Sequence, residues 1–171
     1  MESRAKLFGH PIHPMLIVVP LGLFISAVIL DAIYFFSGAN TALGLVGFWN
    51  IGIGIIGGLA AAVFGLIDWL AIPSDTRAKR IGLMHAGSNV LMLALFTLTW
   101  LDRFVTTDHL PSTYNLLLEG GALAIGMVAG WLGGELVDRL GVGVDDGAHL
   151  NAPNSLSGKP AGSVASRPRS L

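Results

Sequence analysis

Residues 14–36 read PMLIVVPLGLFISAVILDAIYFF, with Asp31 as the one ionisable side chain inside the run. A helix crosses the hydrocarbon core of a bilayer with about 20 predominantly apolar residues, and this stretch supplies them. Arg4 and Lys6 stand before it, as basic residues stand before the apolar part of a secretion signal. That apolar part normally spans about 7–15 residues and ends at a small-residue cleavage site. Here the run continues into Tyr34-Phe35-Phe36, and His10-Pro11-Ile12-His13-Pro14 interrupts the junction. No cleavage pattern closes it, so the stretch reads as a retained membrane span.

Outward from this span the pattern recurs. Ser37-Gly38-Ala39-Asn40 makes a turn,. Residues 44–72 form a second span, long enough to tilt, and Pro73-Ser74-Asp75 ends it. Residues 81–101 form a third, stopping at Asp102-Arg103. A polar loop with Asp108, His109 and Pro111 leads to a fourth over residues 116–138. No segment alternates apolar and polar residues as a membrane β-strand does. The predicted fold is all-α: a polytopic four-transmembrane-helix bundle over residues 14–140, preceded by a short N-terminal segment, 1–13. Beyond Gly141 the composition changes, and residues 151–171 are rich in Ser, Gly, Pro and Ala with almost no bulky apolar side chain. Such a segment buries too little to offset its ordering entropy, so residues 141–171 are expected to be a disordered tail. No sequence repeat is visible between the two halves.

Composition agrees. Of 171 residues 53% are hydrophobic and 12% charged, about half the roughly 25% charged fraction of soluble domains. The bilayer is the solvent that accommodates so much apolar surface. A net charge of -1 and the lack of a basic stripe exclude nucleic acid as a partner,. The absence of cysteine excludes disulfides, thiolate metal sites and covalent haem attachment,. Arg4, Lys6, Arg77, Lys79, Arg80 and Arg139 fall on one side of the predicted topology, and Arg103 alone on the other. The positive-inside rule then places both termini in the cytoplasm, in a multi-pass protein of the bacterial inner (plasma) membrane.

Small residues suggest how the helices pack. Gly126, Gly130 and Gly134 form a ridge on the fourth span; Gly54 and Gly58, continued by Ala62, form one on the second,. They predict close intrachain packing, or alternatively a homo-oligomer interface or a flat surface for a cofactor ring. Trp49, Trp69, Trp100 and Trp131 fall near span ends as interfacial residues do, with a core position as the alternative for Trp131,.

Ionisable groups in a membrane domain are functional candidates, and the topology gathers several at the cytoplasmic end. His10 and His13 each precede a proline, which biases both toward extended backbone,. Pro14 suits the first helical position, making His13 the expected N-cap. A helix N-terminus disfavours the imidazolium, leaving the neutral form that binds metal. Asp68 ends the second span, His85 opens the third with Asn89 one turn on, and Glu135 and Asp138 end the fourth. His10, His13, His85 and Asp68 are the expected metal set, supported by Asn89 and Glu135. A four-coordinate transition metal (Zn, Fe or Cu) or a haem b held by two imidazoles are the alternatives. Asp68 is expected to orient His85 rather than to ligate. Asp31 is read as reaching the headgroups or pairing with Asn50, and Glu119 and His109 as loop or interface residues.

Gly9-His10-Pro11-Ile12-His13-Pro14-Met15-Leu16, Gly65-Leu66-Ile67-Asp68-Trp69-Leu70, Ile72-Pro73, Thr76-Arg77-Ala78, His85 and Asn89 resemble the DUF2231 family of predicted bacterial membrane proteins. The resemblance spans roughly residues 7–145. It implies the membrane fold; relatives fused or adjacent to Rieske or cytochrome modules suggest redox work with a partner protein. Members often carry a His before a Gly-Val pair after the fourth span, where this chain has Leu140. Three functions follow from the sequence: a metal or haem subunit of membrane electron transfer, a cofactor-free structural or partner-binding subunit, and a small transporter. No catalytic motif stands out.

Overall fold

A computed structural model describes residues 1–38 and 40–163. Four helical stretches among them are long and apolar enough to cross a membrane: Ile12–Ser37, Thr41–Ala71, Arg77–Phe104 and Thr113–Arg139. The first consists of α1 (Ile12–Leu16) and α2 (Val18–Ser37), the next three of α3 (Thr41–Ala71), α4 (Arg77–Phe104) and α5 (Thr113–Gly134) with a π-helical turn, Glu135–Arg139. The break between α1 and α2 follows from Pro20, which has no N–H to give the carbonyl of Leu16,.

The helices begin earlier than hydropathy alone predicts because polar caps open them. The side chains of Asn40, Thr76 and Ser112 accept from the backbone N–H groups of Ala42, Lys79 and Asn115, satisfying donors at each helix start. Gly38, at φ 62°, closes α2 with a bond to the Tyr34 carbonyl, a left-handed cap that glycine adopts without steric cost. His13 is not the N-cap as expected. A two-residue hairpin, β1 (Lys6–Leu7) with β2 (His10–Pro11), lets the Ile12 N–H bond the Ala5 carbonyl. The helix thus starts two residues earlier, with Pro11 at the cap.

α2 packs along α3, and α4 along α5; α3 also meets α4, and α2 meets α5. The result is an up-and-down ring with α2 and α4 facing each other across its centre. There Phe24 stacks on Phe96, centroids 4.0 Å apart, in a core with Ala27, Ile51 and Ala122.

The two hairpins repeat each other in register, although no repeat is evident from the sequence. From His13 to Phe24, Ala27 and Asp31 the chain advances by the same steps as from His85 to Phe96, Thr99 and Arg103. Each of these pairs meets or is buried alike: the two histidines, the two phenylalanines, Ala27 with Thr99, Asp31 with Arg103. Gly54, Ala61 and Gly65 of α3 correspond in the same way to Ala122, Ala129 and Gly133 of α5. The bundle is a pseudo-two-fold assembly of two helical hairpins. Lipid-facing positions tolerate any apolar residue, so only the axis-facing positions preserve the relation.

The glycine ridges divide. A side chain on Gly54 would meet Phe24, and one on Gly58 would meet Leu93. Of the three ridge glycines on the fourth span Gly126 is packed, against Met92, while Gly130 and Gly134 face open space. Trp131 is 68% exposed, so it is not a core residue. The start of the expected disordered tail is placed against the N-terminal segment. Met1 donates to the Gly141 carbonyl, the Gly143 N–H donates to the Met1 carbonyl, and Lys6 bridges Glu2 and Asp145 at 2.7 and 2.5 Å. Composition does not register these contacts because backbone atoms make most of them. Residues 164–171 of the expected tail lie outside the described residues.

Candidate functional site

Of the four expected ligands, the structure brings two together. The rings of His13 and His85 lie 6.3 Å apart at an interplanar angle of 86°. The pseudo-symmetry extends to their seats. His13 Nδ1 lies 2.8 Å from the Ala61 carbonyl, and His85 Nδ1 lies 2.8 Å from the Ala129 carbonyl. A carbonyl only accepts, so both rings carry their proton on Nδ1 and leave Nε2 as the basic nitrogen. One turn along from each carbonyl is a glycine. A side chain on Gly65 would come within 3.0 Å of the His13 ring, and one on Gly133 within 3.2 Å of the His85 ring. Ala-x-x-x-Gly on α3 and on α5 is therefore a matched pair of imidazole seats.

The other two residues go elsewhere. The Asp68 carboxylate accepts from Ser3 Oγ and from the backbone N–H groups of Arg4 and Ala5. It fastens the N-terminal segment to α3 and does not orient His85, whose Nδ1 is held by Ala129 instead. Three short-range donors outcompete one imidazole for the carboxylate. His10 sits on the exposed hairpin, with Nε2 3.3 Å from Ser155 Oγ. Among the described residues no group of three or more His, Cys, Asp or Glu side chains is arranged to hold a metal ion. Asn89 does flank His85, its Nδ2 2.9 Å from the His85 carbonyl and 3.2 Å from Nε2. Glu135 pairs with Arg77 at 2.6 Å.

Ion pairs at this end join Lys6 to Glu2 and Asp145, and Arg77 to Glu135. Hydrogen bonds that Lys6 donates to Asp145 and Glu2 hold its ammonium above the usual lysine range, and Lys6 in turn holds the Glu2 carboxyl below the usual range.

The opposite end holds a cluster that the sequence reading missed. Asp31, Arg103 and Glu119, from α2, α4 and α5, are each 0% exposed. Arg103 binds Asp31 through two nitrogens, at 2.6 and 3.3 Å, and reaches Glu119 at 3.4 Å. It also donates to the carbonyls of Gly44 at 2.6 Å and His109 at 3.0 Å. Asp31 neither reaches headgroups nor pairs with Asn50, whose amide donates to Ser26 Oγ. Glu119 is no interface residue. The usable signal was Gly47 facing Asp31: a side chain there would collide with the carboxylate, so α3 keeps a glycine to admit it. Arg103 counted only as an orientation charge, which concealed it as the partner.

A family model described as predicted membrane protein (DUF2231) matches residues 9–146. Comparison with curated proteins and with solved structures gives no match.

Proposed function

We propose, for a chain that belongs to the DUF2231 family of predicted membrane proteins, that His13 and His85 are the two axial ligands of a haem-type centre serving membrane electron transfer. One observation carries this: two imidazoles from different helices, seated alike, each with Nδ1 committed to a carbonyl and Nε2 holding the ring's lone pair. Ligating histidines characteristically donate their other N–H to such a partner, which fixes tautomer and ring orientation. Metal–imidazole bonds are about 2 Å long, which puts the centroids of two imidazoles on opposite sides of one metal about 6 Å apart. The observed 6.3 Å agrees. A closed small-ion site lacks support because no third ligand joins the pair among the described residues; a macrocycle supplies its own four nitrogens. The centre would contribute one-electron chemistry, and a redox protein would be its partner.

Asn89 favours a second reading. Its amide nitrogen lies within 3.2 Å of His85 Nε2, so the protein alone can satisfy that ring, and the pair would then lock the two hairpins without a cofactor. An absorption spectrum of protein purified from haem-replete cells separates the readings. A Soret band lost in His13→Ala and in His85→Ala supports the haem centre. Folded wild type without a band, and without bound metal, overturns it.

A further inference from the structure

We propose that Glu119 is a proton-binding site: a carboxyl held neutral inside the membrane span, beside an Asp31–Arg103 pair that is complete without it. The inference does not depend on the histidine pair.

The donor inventory carries the argument. A guanidinium has five N–H groups. Those of Arg103 go to Asp31 twice, to the Gly44 and His109 carbonyls once each, and to Glu119 over a long 3.4 Å. Asp31 thus takes the bidentate, charge-neutralising interaction. Glu119 Oε2 is buried without a hydrogen-bond partner. With both carboxylates ionised, the fully buried cluster would carry one uncompensated negative charge, which a low-dielectric interior strongly disfavours. A single proton removes it.

The pseudo-symmetry supplies a second, independent argument. The residue of α3 corresponding to Glu119 is Ile51, also 0% exposed. The same position is therefore filled by a hydrocarbon in the first hairpin, and packing alone does not require an acid in the second. The surrounding groups leave the proton as the fitting ligand. α2 contributes Asp31 and α4 contributes Arg103; α3 brings no ionisable group here, but the Gly44 carbonyl, Gly47 and the Phe48 ring, 5.8 Å from the guanidinium. Asp102 is engaged by the Asn115 amide at 2.9 Å, and the His109 ring nitrogen faces the Arg103 carbonyl. Asp31, Arg103 and Glu119 are each fully buried, so a hydrated cation, which needs open space around the carboxylates, does not fit.

Infrared spectroscopy of the full chain in lipid nanodiscs at neutral pH tests this. Wild type is expected to show the carbonyl stretch of a non-ionised carboxylic acid, shifted in D2O. Glu119→Gln, which preserves shape and neutrality, is expected to abolish the band and leave the melting temperature unchanged. Should that variant fail to fold, Glu119→Asp is expected to keep an acid and move the band. No band in the wild type overturns the proposal. So does a band that persists in Glu119→Gln, that stays fixed in Glu119→Asp, or that is lost in Asp31→Asn while Glu119→Gln retains it.

Discussion

Arg103 and Gly65 show how single residues acquire meaning from the side chains opposite them. Arg103 lies fully buried against two carboxylates. Removing one member of a buried pair leaves an uncompensated charge and costs about 3–5 kcal/mol. Arg103→Met should therefore destabilise the bundle by that order, and Arg103→Met with Asp31→Leu should recover much of it, since hydrophobic replacement of a whole pair is often neutral or better. Chemical unfolding of the three proteins in detergent measures this; equal stability of wild type and Arg103→Met would contradict it. Gly65 is a different kind of constraint. Its backbone is ordinary, but a side chain would stand 3.0 Å from the His13 ring. Gly65→Val and Gly133→Val should each displace an imidazole and abolish any Soret band, whereas Gly130→Val, which meets nothing within the chain, should leave it intact.

At the scale of elements, the helices were legible in the sequence and their partners were not. Runs such as residues 14–36 announce a span by length and apolarity alone, and the caps Asn40, Thr76 and Ser112 explain why each following helix begins before its apolar run. The candidate site was half legible. His13 and His85 were found because imidazoles are rare in apolar helices and the topology places both at one end. Asp68 was misassigned because its partners are Ser3 Oγ and the backbone N–H groups of Arg4 and Ala5, contacts that no motif encodes. Asp31 and Arg103 escaped because each looked interfacial alone; only tertiary contact shows that they neutralise each other. The N-terminal hairpin gives an element-scale prediction. Glu2 has a folded-state pKa below its ordinary 4.5, so its contribution is present above that value and is lost as pH falls through the lower one,. Lys6 is raised above its ordinary 10.5, so its contribution is full below that value and is lost as pH climbs past the higher one,. Docking of the hairpin on residues 141–147 should therefore hold across the neutral range and loosen at both extremes. The chain has no cysteine, so spin labels at Phe8→Cys and Leu156→Cys, both exposed, can report the distance. A separation unchanged at both the acid and the alkaline extreme would remove these ion pairs from the account of docking.

The whole molecule is two helical hairpins joined at Pro73-Ser74-Asp75, with matched residues facing across a central axis. Each hairpin buries its own helix–helix seam, α2 on α3 and α4 on α5. Contacts across the axis are few but directional: the Phe24–Phe96 stack, the Asp31–Arg103 bridge, and the approach of His13 to His85. Directional polar contacts matter disproportionately in lipid, where helix association gains nothing from excluding water. It follows that residues 1–74 and 75–171, expressed as separate chains, should insert independently and reassemble, because neither seam is cut and the axis contacts specify the partner. Co-purification from the membrane of one tagged half with the other measures the outcome. Asp31→Asn in the first half should reduce the yield severalfold by removing the charge that Arg103 selects, and Leu21→Asn, on an exposed position of α2, should reduce it less. Insertion of each half with no association would show that the connecting loop, rather than the axis, holds the bundle together.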